Sequence, residues 1–146
     1  MITRNPYNVY KKQSVETVSQ QQLVVMLYEG MVKFLRRAHL AAEKKDFENV
    51  HINISKTCNI LIELISGINL EQGGEIAFNL KRLYVYSYEK LTIANINKDQ
   101  ETIQEIINII LPLTSAWKEV RDSKSVKTDP RFSQNFNRGQ TIIKTA

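Results

Sequence analysis

Glycine and proline are scarce along most of this chain, and that scarcity limits the folds open to it. The sequence has five glycines and three prolines in 146 residues, and no glycine occurs between Gly74 and Gly139. A β-sandwich needs a turn signal about every 8–12 residues. Long helices with few connections are therefore the predicted architecture.

Composition excludes several classes of protein. With 42% hydrophobic and 24% charged residues, the chain matches one globular domain that buries its own core. No run of about 18 uncharged apolar residues occurs, so membrane insertion is not expected. The N-terminus has no apolar signal segment, which favours a cytoplasmic protein. The single cysteine, Cys58, cannot form an internal disulfide or a cysteine-based zinc site.

The net charge of +5 does not indicate nucleic-acid binding. Residues 122–146 carry five basic and two acidic side chains, which accounts for +3 of the total. Residues 1–121 carry 15 basic and 13 acidic side chains and contribute only +2. A nucleic-acid-binding domain concentrates its positive charge on one folded face, so a nucleic-acid partner is not expected.

Short polar side chains mark the predicted helix starts. Ser19, Asp46 and Asp99 each precede a periodic apolar segment and can accept hydrogen bonds from the first N–H groups of a helix. Ser19 with Gln22 also matches a capping box. Residues 69–74 are predicted to form a connection, with the third helix starting near Gly74 or Glu75.

These signals predict an all-α fold with three regions. Residues 19–121 are expected to form an antiparallel up-down-up-down four-helix bundle, because short connections join neighbouring antiparallel helices. Residues 1–18 are expected to be an irregular N-terminal arm, and residues 122–146 a mobile C-terminal tail, since chain ends without a periodic face seldom pack. Pro112 is expected to kink the fourth helix, because proline removes a backbone hydrogen bond.

The first helix has more apolar positions than one buried face requires. Its predicted core stripe is Leu23, Leu27, Gly30, Phe34, Ala38 and Ala41. Further apolar residues, among them Val24, Val25, Tyr28, Met31 and Leu35, lie on other faces. The predicted stripes of the later helices are Val50, Ile54, Cys58, Leu61 and Ile65; then Ile76, Leu80, Leu83, Ser87, Leu91 and Ala94; then Ile103, Ile106 or Ile107, Ile110, Leu113 and Trp117. The surplus on the first helix indicates a second surface that is either buried or covered by a partner.

Three patterns with chemical potential have simpler explanations. Glu48 and His51 match the Glu-x-x-His spacing of di-iron bundles, but the chain has no second such pair. Gly73-Gly74 before a helix is more typical of a tight turn than of a phosphate site, because Glu75 would repel an anion. No Ser-His-Asp, Cys-His or carboxylate-pair arrangement is evident. We therefore expect no enzymatic activity, no metal and no cofactor.

Several motifs together resemble one protein family. Residues 73–95 read GGEIAFNLKRLYVYSYEKLTIAN, and the earlier segments Asn5-Pro6-Tyr7, Tyr10, Ser14-Val15, Gln22-Leu23 and Met26-Leu27-Tyr28-Glu29-Gly30 belong to the same pattern, as does Trp117-Lys118-Glu119. Over about residues 5–121 the chain resembles the FliS family of flagellar secretion chaperones. The tail after residue 121 has no match in the pattern.

The resemblance implies a cytoplasmic bundle that acts as a chaperone. Its expected partner is the disordered C-terminal segment of flagellin, which it would keep from polymerising and help deliver to the export gate of the flagellar type III secretion apparatus. The N-terminal arm would cover the client groove when flagellin is absent. The residues expected to bind the client or the arm are Tyr7, Tyr10, Leu23, Met26, Leu27, Tyr28, Met31, Tyr84 and Tyr88.

Two other functions stay open from the residues alone. The chain could be a helical adaptor that binds another amphipathic helical partner, which co-purification with and without flagellin would distinguish. It could also be an enzyme or a metal-binding bundle, which metal analysis of the purified protein would distinguish.

Overall fold

Four consecutive helices make up the part of the chain that the structure describes. The structure is a computed structural model and describes residues 19–123. The helices are α1 (Gln20–Glu43), α2 (Phe47–Gly67), α3 (Leu70–Asn97) and α4 (Gln100–Asp122). The predicted arm and nearly all of the predicted tail lie outside the described residues. None of the four helices is long and apolar enough to cross a membrane.

The helices pack as an antiparallel square. Each helix contacts the next one along the chain, and α4 closes the square by packing against α1. The connections are short, at residues 44–46, 68–69 and 98–99. Connections of this length reverse the chain direction between neighbours. The arrangement confirms the predicted four-helix bundle.

Two of the three turns contain a Lys-Asp dipeptide. Lys45 and Lys98 adopt left-handed backbone conformations, with φ of 58° and 54°, which end α1 and α3. The following residues, Asp46 and Asp99, cap α2 and α4 by accepting hydrogen bonds from backbone N–H groups. A hydrogen bond from the Asn49 side chain also holds the pKa of Asp46 below its usual value. Both predicted aspartate caps are therefore confirmed.

The start of α1 follows the prediction only in part. The Ser19 hydroxyl accepts a hydrogen bond from the Gln22 backbone N–H at 2.9 Å, as the predicted cap requires. The Gln22 side chain, however, accepts a hydrogen bond from Arg121 at 3.0 Å. Gln22 thus ties the beginning of α1 to the end of α4, a role that the capping box did not predict.

The third helix starts earlier than predicted. Asn69 caps it, its side chain accepting from the Gln72 N–H at 2.9 Å, so α3 includes most of the segment predicted as a connection. The helix then breaks at Gly74, whose φ of 59° and ψ of −136° are non-helical. Only glycine adopts this conformation readily. The prediction of a start near Gly74 therefore identified the break inside α3 and missed the capped first turn.

The buried face of α1 differs from the predicted stripe. Val24, Val25, Tyr28, Met31 and Leu35 are fully buried. Most of the predicted stripe, in contrast, is only half-buried. Because α1 is apolar nearly all round, its sequence does not fix which face turns inward. The packing of α1 against both α2 and α4 determines which face is buried.

In the first half of α3, too, the buried face differs from the predicted stripe. Ala77 and Tyr84 are fully buried there, whereas Ile76, Leu80 and Leu83 are half-buried. The second half follows the prediction, with Ser87, Leu91 and Ala94 buried. The predicted stripes of α2 and α4 hold in most positions, although Cys58, Ile65 and Leu113 are only half-buried.

Pro112 lies inside α4 without ending it. The helix is continuous from Gln100 to Asp122. Proline supplies no N–H for the carbonyl of Asn108, one turn earlier. Both residues are exposed, so water can satisfy that carbonyl.

A pair of tyrosines spans the diagonal of the bundle. The hydroxyl groups of Tyr28 on α1 and Tyr84 on α3 are hydrogen-bonded to each other, and both side chains are fully buried. Trp117 of α4 packs beside Tyr28, with ring centroids 6.5 Å apart, and its indole N–H can bond the same hydroxyl. Burial raises the pKa of Tyr28 to about 12 and that of Tyr84 well above 10. Both phenols are therefore neutral at physiological pH.

Replacing either tyrosine with phenylalanine should test this cluster. Tyr84→Phe removes one partner of the Tyr28 hydroxyl and should cost about 1–3 kcal/mol, the usual penalty for a buried polar group left unpaired. Tyr28→Phe should lower the free energy of unfolding further, because both Tyr84 and Trp117 then lose a hydrogen-bond partner. Urea unfolding followed by circular dichroism measures both free energies of unfolding. Equal stabilities of both variants and the wild type would show that the hydroxyl pair contributes nothing.

Candidate functional site

A shallow groove runs between α2 and α3 on the outside of the bundle. Its space amounts to about 220 Å³. The α2 side supplies Ile54, Ser55, Cys58, Asn59 and Ile62, and the α3 side supplies Tyr88, Thr92 and Asn95. These residues recur every three or four positions because each set lies along one edge of its helix.

The groove carries no charge along its length. None of its lining residues is ionised at neutral pH, and burial raises the pKa of the Cys58 thiol to about 11, so that sulfur stays protonated. The Thr92 hydroxyl donates to the Tyr88 carbonyl at 2.9 Å, which satisfies it within α3. Thr92 therefore does not need a polar partner from outside. The surface suits apolar side chains of a bound segment.

A hydrogen-bonded group closes one end of the groove. The Asn95 side-chain nitrogen lies 2.9 Å from Nδ1 of His51, which joins α3 to α2. Lys98 donates to the Asn95 side-chain oxygen at 2.9 Å. His51, the histidine of the Glu-x-x-His pattern, is thus part of an interhelical hydrogen bond. Within residues 19–123 no three His, Cys, Asp or Glu side chains gather as a possible metal site.

The size and openness of the groove decide what it can bind. Small-molecule sites usually enclose about 300–1,000 Å³ and bury most of the ligand. This groove is smaller and open along its side. An amphipathic helix or an extended segment that inserts a row of apolar side chains fits it better.

The residues predicted to bind a client lie in three different environments. Tyr28, Met31 and Tyr84 are fully buried in the core. Leu23 and Leu27 are half-buried, and Met26 is 50% exposed, all near the start of α1. Among the predicted residues that lie within 19–123, Tyr88 alone lines the α2–α3 groove. Tyr7 and Tyr10 lie outside the described residues.

Most of the groove residues were not among those predicted. Ile54 and Cys58 were assigned to the core stripe of the second helix, and Ile62, Thr92 and Asn95 to no site. Ile62 offered a signal: it lies one turn after Cys58, is apolar and falls outside the core stripe. Its 45% exposure makes it the most accessible large apolar side chain of the groove.

Comparisons with known proteins agree on one family. A family model described as flagellar protein FliS matches residues 3–124. The flagellar secretion chaperone FliS of Campylobacter jejuni subsp. jejuni is 37% identical over 120 residues, which cover 82% of this chain and 94% of the relative. That of Bacillus subtilis is 34% identical over 85% of this chain and 92% of the relative. The flagellar secretion chaperone FliS of Salmonella typhimurium is 35% identical over 86% of this chain and 96% of the relative.

Proposed function

Because this chain belongs to the FliS family of flagellar secretion chaperones, we propose that its client is flagellin, bound through the C-terminal segment. The family supports a role as a flagellar export chaperone. The relatives carry the name of a secretion chaperone, and the client must therefore be a protein that is exported. Flagellin is the exported client that the family resemblance implies.

The observation that carries the proposal is the uncharged α2–α3 groove. The half-buried Cys58 and Tyr88 and the exposed Ile62 offer apolar contacts without any charge to be desolvated. Helix-in-groove recognition uses such surfaces, with anchors at every third or fourth position of the bound helix. A client helix lying between α2 and α3 would bury its apolar stripe here. The same stripe would then be hidden from other flagellin molecules, which prevents premature polymerisation.

The start of α1 is a second apolar patch that we include in the proposed binding surface. Leu23, Met26 and Leu27 are accessible or half-buried there, and the arm of residues 1–18 leads directly into this helix. Tyr28, Met31 and Tyr84 support the surface from inside the core instead of touching the client. In the free chaperone, Tyr7 and Tyr10 would cover part of the apolar surface. In the loaded chaperone, they would be free to dock on the export gate of the type III apparatus.

The proposed activity is non-covalent and takes place in the cytoplasm. Binding and release need no bond to be made or broken, so no cofactor is required. Flagellin is kept unassembled before export, which places the chaperone on the side of the membrane where the client is made.

A charge placed in the groove should weaken client binding. Ile62→Glu adds a carboxylate beside the apolar floor, and because Ile62 is 45% exposed the fold should tolerate the change. We expect the dissociation constant for a flagellin C-terminal peptide to rise at least about tenfold, or roughly 1.4 kcal/mol. Isothermal titration calorimetry with the full chain measures this.

Leu40→Glu is the matched control. Leu40 is an aliphatic residue that is 50% exposed on α1, and it lies outside the α2–α3 groove. Its substitution should leave the peptide affinity within about twofold. Equal weakening by both variants would mean that net charge, and not the groove, controls affinity. A wild-type chain that binds other amphipathic helices but not the flagellin peptide would identify a general helical adaptor.

The arm should affect export more than affinity. The double change Tyr7→Ala, Tyr10→Ala removes the proposed cap and gate contact but leaves the groove intact. The peptide affinity should stay within about threefold, or under about 0.7 kcal/mol, while flagellin export from cells falls. A hundredfold loss of peptide affinity in a folded double variant would make the arm part of the client site and contradict its role as a cap.

A further inference from the structure

The outer side of α1 and the adjoining edge of α2 carry cations that the proposed client site does not use. Four exposed residues follow helical spacing along α1 and form one stripe: Lys33, Arg37, Leu40 and Lys44. Lys56 of α2 adjoins this stripe. Its Nζ lies 5.3 Å from the centroid of the Phe34 ring, and Nζ of Lys33 lies 5.1 Å from the same centroid. The stripe together with Lys56 is called the basic face below.

The cations of the basic face have no counter-ion within residues 19–123. In this part of the chain, carboxylate oxygens lie within 4.0 Å of Lys118 and Arg121, and both of these cations belong to α4. Asp46 borders the same shallow depression as Arg37 and Lys44, but its carboxylate caps α2 and accepts hydrogen bonds from Asn49. The basic face can therefore attract anions from outside the bundle.

The fold separates charges that nearly balance in the composition. Residues 19–123 carry 12 basic and 13 acidic side chains. Within them, residues 33–56 carry six basic and three acidic side chains, whereas residues 57–123 carry six and nine. The second half of α1 and the first half of α2 are thus the positive side of a bundle that is otherwise negative. The net charge alone did not predict this asymmetry.

The ends of the chain do not suit the basic face. Residues 1–18 carry three basic side chains and one acidic side chain, and residues 124–146 carry five and one. Both segments have a net positive charge, so the basic face repels them. A partner outside the chain must therefore supply the anions.

We propose that the basic face binds the anionic surface of a lipid bilayer, without any helix crossing it. From Lys33 to Lys44 the cations extend roughly 16 Å along α1, too far for one phosphate ion to contact them all. The stripe lies on the outer side of a helix, which can meet a flat surface along its length. Leu40, 50% exposed between Arg37 and Lys44, enters the boundary between headgroups and acyl chains, as apolar side chains of interfacial helices do.

Leu40 favours a membrane over other polyanions. A nucleic-acid backbone or an acidic peptide would also attract the cations, but neither offers an apolar layer for an isolated aliphatic side chain. Anionic headgroups lie in a plane above acyl chains that can receive Leu40. Each cation close to such a surface contributes roughly fivefold to binding. Four cations and one leucine therefore predict reversible adsorption that high salt abolishes.

The basic face and the client groove lie on different edges of α2. The depression beside Arg37 and Lys44 is lined on α2 by Asn49 and Asn53, whereas the groove uses residues from Ile54 onward and none of the basic face. One chaperone can therefore hold a client and a membrane at the same time. This inference goes beyond the proposed client role, because it places the loaded chaperone at the membrane through which its client leaves.

Vesicle binding by the full chain tests the proposal. In about 0.1 M salt the wild type should co-float with vesicles of about 30% phosphatidylglycerol in phosphatidylcholine but not with phosphatidylcholine alone, and about 0.5 M salt should release it. Lys33→Glu, Arg37→Glu should lower the vesicle partition coefficient at least about tenfold, and the neutral pair Lys33→Gln, Arg37→Gln should lower it less. Thermal melting followed by circular dichroism confirms that each variant is folded.

The double variant Arg82→Glu, Lys90→Glu is the matched control. Both cations lie on α3, each 5.8 Å from the centroid of an aromatic ring. The variant changes the net charge by the same amount away from the basic face. Its partition coefficient should stay within about threefold of the wild type, because salt screens charges that are more than about 10 Å from the bilayer.

A tryptophan at position 40 locates the contact. The emission of Leu40→Trp should shift to shorter wavelength when phosphatidylglycerol vesicles are added, because the new ring enters an apolar layer. Trp117 is buried, so its own emission should stay constant. Ile96→Trp, at a position that is 75% exposed on α3, is the control and should show no shift.

A wild type that does not co-float with anionic vesicles in about 0.1 M salt overturns the proposal. Equal weakening by both pairs of reversals also overturns it, because net charge and not the basic face would then control adsorption. Unchanged binding after the Lys33 and Arg37 reversals would assign adsorption to the ends of the chain and reject the basic face. If an RNA duplex or a polyglutamate peptide binds the basic face while vesicles do not, that polyanion is the partner and the membrane is rejected.

Discussion

The hydrogen bond between the hydroxyl groups of Tyr28 and Tyr84 is the contact on which the rest of the bundle depends. It joins α1 to α3 across the diagonal, between helices whose backbones are not neighbours. Two buried phenols satisfy each other, and Trp117 packs against Tyr28. If the Tyr28 hydroxyl turned outward, the Tyr84 hydroxyl would lie unpaired in an apolar interior, at a cost of about 1–3 kcal/mol. If the Tyr84 hydroxyl turned outward, the Tyr28 hydroxyl would lose its partner on α3 and keep only that of Trp117. The pair therefore fixes the rotation of both helices.

That rotation decides which residues are available to a partner. With Tyr84 inside, Tyr88 lies one turn further along α3, at the edge that faces α2, and it completes the groove with Cys58 and Ile62. The same rotation turns Phe78, Arg82 and Glu89 away from the core. The core and the proposed client groove are thus two sides of one helix, and the tyrosine pair sets their positions together.

The sequence was sufficient to predict the buried face of a helix where its apolar residues occupy one side. On α2 and α4 most residues of the predicted stripe are buried, and Asp46 and Asp99 mark where those helices begin. On α1 almost every rotation buries apolar side chains, so periodicity could not identify the buried face. Contacts with α2 and α4 on both sides settle it, and they also account for much of the apolar surplus that had indicated a partner.

The candidate site was harder to predict for a different reason. Tyrosine has an apolar ring and a polar tip, and it is suited equally to a binding surface and to a satisfied position in a core. Tyr28 and Tyr84 resembled partner-facing residues because nothing in a single sequence shows that two hydroxyls 56 residues apart will meet. The groove also depends on which edges of α2 and α3 adjoin. That is a property of the packed bundle, so Ile62 and Thr92 could not be paired with Tyr88 beforehand.

The most direct test of the client groove uses the wild-type chain and its one cysteine. Cys58 is half-buried in the floor of the groove, and a bound flagellin segment should cover it. The rate of its alkylation by a maleimide is measured in the full chain, with and without a saturating flagellin C-terminal peptide. The proposal predicts that the rate falls at least about tenfold, because access limits thiol reactivity. An unchanged rate at full saturation would show that the client binds elsewhere and would contradict the assignment of the α2–α3 groove.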